Sequence, residues 1–99
     1  MKTNGKEWDS VDPPIIIKFE NPDEEVVGFF HSIGTVWGPH GSFGVLLLSA
    51  KQGVVSLSGA RLMALVSAAG TLTPQDRIRV SYKGTEMNVK LFDLQVQRG

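Results

Sequence analysis

Ninety-nine residues, 41% of them apolar, are enough for one modest core and too few for a core plus a deep catalytic cleft. The absence of cysteine excludes a disulfide framework, a thiolate nucleophile and a cysteine-based zinc site, and it fits a cytoplasmic protein. Net charge is zero but lopsided: residues 1–50 hold three Lys/Arg against seven Asp/Glu, and residues 51–99 hold seven against three. Such asymmetry marks either a face that meets an anion or two halves that pair with each other.

Residues 1–14 read as a flexible, polar tail that ends in Asp12-Pro13-Pro14. "MKTNGKEWDS" lacks the apolar centre of a signal peptide, and no apolar run reaches the length of a membrane span, so no membrane partner is expected. The domain proper is expected over residues 15–99. "IIIKF" reads as a short strand or an extended lead-in, and "ENPDEE" as a turn centred on Asn21-Pro22-Asp23. "EVVGFFHSIGTVW" is a long strand rich in β-branched and aromatic residues, with Gly28 and Gly34 as expected bends. "GPHGS" connects it to "FGVLLLSA", and "KQG" connects that to "VVSLS". Leu46, Leu47 and Leu48 run consecutively, so a two-residue alternation leaves at least one of them facing outward.

The period then changes. Leu62, Leu65, Val66 and Ala69 form one stripe of a helix, with Ser58 expected as N-cap and Gly70 just past the end. "RIRVSYK" alternates, with Ile78, Val80 and Tyr82 on one face and Arg77, Arg79, Ser81 and Lys83 on the other. After "GTEMN", "VKLFDLQV" places Phe92, Leu94 and Val96 together. The predicted fold is mainly β: a five-stranded OB-fold Greek-key barrel with one helix between strands three and four. A sandwich would need about seven strands and no helix.

Four motifs in order carry a resemblance: Val26-Val27-Gly28, then Gly59-Ala60, then Ile78, Val80, Tyr82 and Gly84, then Asp93-Leu94-Gln95-Val96. Over roughly residues 24–97 the chain resembles the small single-stranded-DNA-binding OB proteins of phages and other mobile elements. The resemblance implies non-catalytic binding of single-stranded nucleic acid, DNA more than RNA, with little sequence preference. It also implies a place in DNA replication, with replication or recombination proteins as further partners.

In an OB-fold, ligands cross strands two and three and are clamped by the one-to-two and four-to-five loops. Trp37 and Phe43 flank the first loop and can stack bases, and His40 between them can stack or donate to phosphate. Lys51, Lys83, Lys90 and Arg61 are the expected phosphate contacts, with Arg77 and Arg79 meeting either phosphate or the acidic "NPDEE" segment. No catalytic residue, metal site or cofactor is expected. His31 and His40 lack carboxylates at ligand spacing, Ser56 and Ser58 lack a paired base, and the glycine-rich loop has no Gly-Lys-Ser/Thr. The competing reading is an OB domain used as a protein–protein or structural subunit of a phage or mobile-element assembly. A homo-oligomer, most simply a dimer, is expected for the nucleic-acid reading, because one barrel with few cations would bind loosely.

Overall fold

The computed structural model describes Trp8 and residues 10–99; the remainder of the expected tail, residues 1–7 and 9, lies outside the described residues. The elements are β1 (Ile15–Ile16), β2 (Glu25–Gly38), β3 (Gly41–Ala50), β4 (Gly53–Ser58), α1 (Ala60–Ala68), β5 (Arg77–Glu86) and β6 (Val89–Gln97). All six strands join one mixed sheet in the order β1-β4-β3-β2-β5-β6. Every neighbouring pair is antiparallel except β1 with β4.

Two features of the expected architecture are corrected. There are six strands rather than five, and the helix follows the fourth strand rather than the third. The cause of both is Ile15–Ile16, which pairs in parallel with Val55 and Ser56 and is continued by Ile17 N–H donating to Ser56 O at 3.0 Å. Closing a barrel would require β6 to pair with that same edge of β4. β1 already satisfies it, so the sheet stays open, and among the described residues no ladder joins β6 to β4 or β1.

The faces follow from alternation. Leu46 and Leu48 on β3, Val55 and Leu57 on β4, and Ile78 and Val80 on β5 form the inner face, closed by Leu62 and Val66 of α1. Each of these side chains is at most 2% exposed, and full burial of one contributes about 1.5–3 kcal/mol. Leu47 is the leucine that points outward, beside Ser32 and Ser56.

At the open seam the lead-in supplies a ring. Phe19 stacks on Tyr82 at 5.6 Å between ring centroids and meets Phe92 edge-on at 6.0 Å. Tyr82 and Phe92 are 5.8 Å apart. Phe92 also explains the start of the helix. Gly59, not Ser58, is the N-cap residue, at φ 141°, and makes no side-chain cap bond. A Cβ at Gly59 would stand 2.9 Å from Phe92 Cε2, so the ring occupies the place of a capping side chain. The other end of α1 is held by Arg98, which donates to the C-cap carbonyl Ala69 O and to Thr71 O just beyond it, each at 2.7 Å.

Candidate nucleic-acid interface

The β2–β5 ladder ends at Phe29 opposite Arg77, and Phe30 N–H then donates to Asp76 O at 2.9 Å. Asp76 is fixed in turn. Its carboxylate accepts from Gly99 N–H at 3.1 Å and Thr73 N–H at 2.9 Å. These backbone donors, Gly99 first, with the nearby Arg98 charge, hold the Asp76 carboxyl below its ordinary range. Immediately afterwards the register of β2 against β3 shifts between Phe30 and Ser32. The bulge therefore sits at His31 and not at Gly28 or Gly34 as expected. Gly28 instead permits close approach: a Cβ there would lie 2.8 Å from Ser49 O.

Beyond the bulge, β2 has only β3 beside it, and β3 has β4 beside it only from Val45 onward. Thr35–Gly38 and Gly41–Gly44 thus form a two-stranded ribbon turned by Pro39-His40. The ribbon leaves its apolar side chains, and Ile33 just before it, open to solvent. Trp37 is 82% exposed, Phe43 44%, Val36 42% and Ile33 54%.

The two rings singled out by sequence do not share a face. Trp37 is opposite Ser42, and Phe43 is opposite Val36, one step out of phase. Trp37 follows Thr35 and Ile33 on the inner side, where Gly44 meets Met63 of α1. Phe43 lies on the outer side with Val36, Val45 and Leu47, its ring against Gly38, whose Cβ would be 2.9 Å from Phe43 Cε1. His40 is exposed at the ribbon tip.

The expected cations are elsewhere. Lys51 is exposed in the β3–β4 turn, at the far end of β3 from Phe43, roughly 26 Å along the strand. Lys83 and Lys90 belong to the β5–β6 hairpin, whose turn is Met87-Asn88, both with positive φ, so Thr85 and Glu86 extend the strand into the expected loop. Because β5 runs antiparallel to β2, that hairpin lies at the opposite end of β2 from the ribbon tip.

Lys83 Nζ is 3.1 Å from Asp23 Oδ1, both groups exposed. Lys90 stands at a groove between β6 and the lead-in, lined also by Ile17, Phe19, Ser58 and Phe92. Arg61 is exposed in the first turn of α1. The acidic turn is tied back on itself. Glu24 Oε1 accepts from Glu20 N–H at 2.8 Å and Asn21 N–H at 3.0 Å, and these donors, Asn21 first, hold its carboxyl below the usual range. Arg79 Nε is 3.9 Å from Glu25 Oε1, so one strand-β5 arginine does reach the acidic segment.

Phe29 was not among the sequence candidates. Its ring is 48% exposed on the outer face, directly across from Arg77. Alternation with the apolar Val26 and Gly28 would have pointed it outward, but a strand apolar on both sides hides that signal. The sequence also holds an unused one: no Asp, Glu, Lys or Arg occurs from Val26 to Ala50. Among the described residues no three His, Asp or Glu side chains stand together as metal ligands, and no helix is long and apolar enough to cross a membrane. No family model, curated protein or solved structure matches this chain.

Proposed function

We propose that this chain binds single-stranded nucleic acid, DNA by preference, without catalysis and with little sequence preference, on an OB-type framework. The carrying observation is the projecting β2–β3 ribbon, which leaves the Trp37 and Phe43 rings open to solvent. Bases of any identity stack on such rings, at about 1–3 kcal/mol per base. The order of the five longer strands supports the framework. β2 is central between β3 and β5, β4 and β6 lie outermost, and the helix joins β4 to β5. This order supports reading the framework as an OB-type Greek key that is left open where β1 pairs with the edge of β4.

The reading places the protein in the cytoplasm as a homo-oligomer, since linked copies would offset the small number of cations. Replication or recombination proteins would be its partners. A fluorescence titration with oligo-dT at two salt concentrations tests it. Tighter binding to single strands than to duplex, weakening with salt and lost in a Trp37→Ala/Phe43→Ala double variant, is the expected result. Equal affinity for duplex sinks it.

A second reading, a protein–protein or structural subunit, is favoured by the charge-free run from Val26 to Ala50. A ribbon with exposed apolar side chains and without ionic groups suits a protein surface, with no like charges to repel another chain. Loss of oligomeric mass in the same double variant, with no binding to oligo-dT by the unaltered protein, would select it.

A further inference from the structure

Bases stacked on the ribbon bring phosphates with them, and phosphates need cations nearby. The ribbon strands have none between Val26 and Ala50, Lys83 and Lys90 sit toward the other end of β2, and Lys51 follows Ser49, the partner of Phe29, to the level of Val27. Across β2 from it the register places two more cations. Phe43 and Leu47 point to the outer face, with the buried Val45 between them. On that same face Phe29 is paired with Arg77, and Val27 with Arg79. Gln97 and Gln95 of β6 lie across from the two arginines and complete a shallow groove.

Arg77 is exposed and makes no ion pair or side-chain hydrogen bond among the described residues. Arg79 donates Nη1 to Gln95 Oε1 at 3.1 Å, and its contact with Glu25 is long and half-exposed, so a ligand phosphate can displace it at little cost.

Resting on the proposed function, we infer that the strand runs along this outer face from Phe43 to Phe29. A base stacks on Phe29, and Arg77 and Arg79 hold the adjoining phosphates. Phe43 and Phe29 are separated by about 20 Å along β2, which lies within the span of a few nucleotides that one OB domain covers. The next row across the sheet, Glu25, Ser81 and Asp93, carries two acids and ends the track by repulsion. Trp37, on the inner side, lies outside it.

The test is oligo-dT affinity by fluorescence anisotropy across a salt series, for the unaltered full chain, Arg77→Gln/Arg79→Gln, Phe29→Ala, Phe43→Ala, Trp37→Ala and Arg61→Gln. Neutralising two phosphate contacts should lower the slope of log K against log salt by about 1.4. Phe29→Ala should weaken binding about 5- to 150-fold at unchanged slope, Phe43→Ala should exceed Trp37→Ala, and Arg61→Gln should change little. All these side chains are partly exposed, and thermal melts confirm folding; if Phe29→Ala does not fold, the arginine pair alone decides.

An unchanged slope in the arginine pair, with binding still weakened by Phe43→Ala or Trp37→Ala, overturns the track and leaves the proposed function standing. Failure of the unaltered protein to bind oligo-dT overturns the proposed function itself, and the track with it.

Discussion

Two groups of rings in this molecule are treated in opposite ways. At the seam between β4 and β6, Phe19, Tyr82 and Phe92 pack within about 6 Å of one another, with Tyr82 only 5% exposed. On the β2–β3 ribbon, Trp37 is 82% exposed and Phe43 44%. The residue types are alike, so hydrophobicity does not separate them. Neighbouring strands do. Tyr82 is paired with Phe92 of β6 on one side, backbone-bonded to Asp23 and Glu24 on the other, and covered by Phe19, whereas the ribbon has left its outer neighbours behind. An aromatic residue becomes available to a ligand here because the sheet runs out beside it.

The comparison breaks first at the seam. Tyr82→Ala should cost about 3–5 kcal/mol, read as a lowered urea midpoint. Trp37→Ala should stay within about 0.5 kcal/mol in the same measurement. Equal losses would mean that the ribbon ring is structural. The comparison sharpens on the ligand side, where Phe43→Ala should lose about 1–3 kcal/mol of oligo-dT binding, while Phe92→Ala, once corrected for unfolded protein, should lose none. Phe19→Ala comes next. It opens one side of the three-ring cluster and should cost about 2 kcal/mol, with faster amide exchange at Ile17, whose N–H is bonded to Ser56 O.

The smallest effect is confined to acid. Because the folded-state pKa of Asp76 is lowered by the backbone donors of Gly99 and Thr73, its contribution is present above the unfolded carboxyl range, about 3.9. It is lost as pH falls through the folded value. Glu24, lowered by Asn21 and Glu20, acts in the same direction. Urea midpoints should therefore fall below about pH 4, and Asp76→Asn should flatten that fall. An unaltered acid limb in the variant would count against the Asp76 turn as its source.

Much of the architecture was legible where one face of a strand is buried. Ile78, Val80 and Tyr82 alternate with Arg77, Arg79 and Ser81 as expected, and the Leu62–Val66 stripe closes the core. What escaped depends on contacts across long sequence separations. Ile15–Ile16 became a strand because β4 offered a free edge, which no local pattern announces. Gly59 took the cap position because Phe92, more than thirty residues later, fills the space of a capping side chain. The bulge fell at His31, after Phe30 had bonded to Asp76, rather than at either glycine. The site was legible as a ribbon with two rings. It was not legible that the rings face opposite ways, since a hairpin's register follows from its turn, and Pro39-His40 was read inside a longer loop.

The two-residue β1 has a further consequence for how the protein behaves in a concentrated solution. An uncovered edge of β4 would offer a row of free amides and carbonyls to any passing extended chain, a template for fibril growth. β1 covers the middle of that row, at Val55 and Ser56, and offers almost nothing in its place. It is preceded by Pro13 and Pro14, which cannot donate to a growing ladder, and followed by Lys18, an exposed charge. On that one edge the short strand acts as a stopper against a second copy of a sheet rich in valine, leucine and isoleucine, which leaves β6 as the edge where another chain can add.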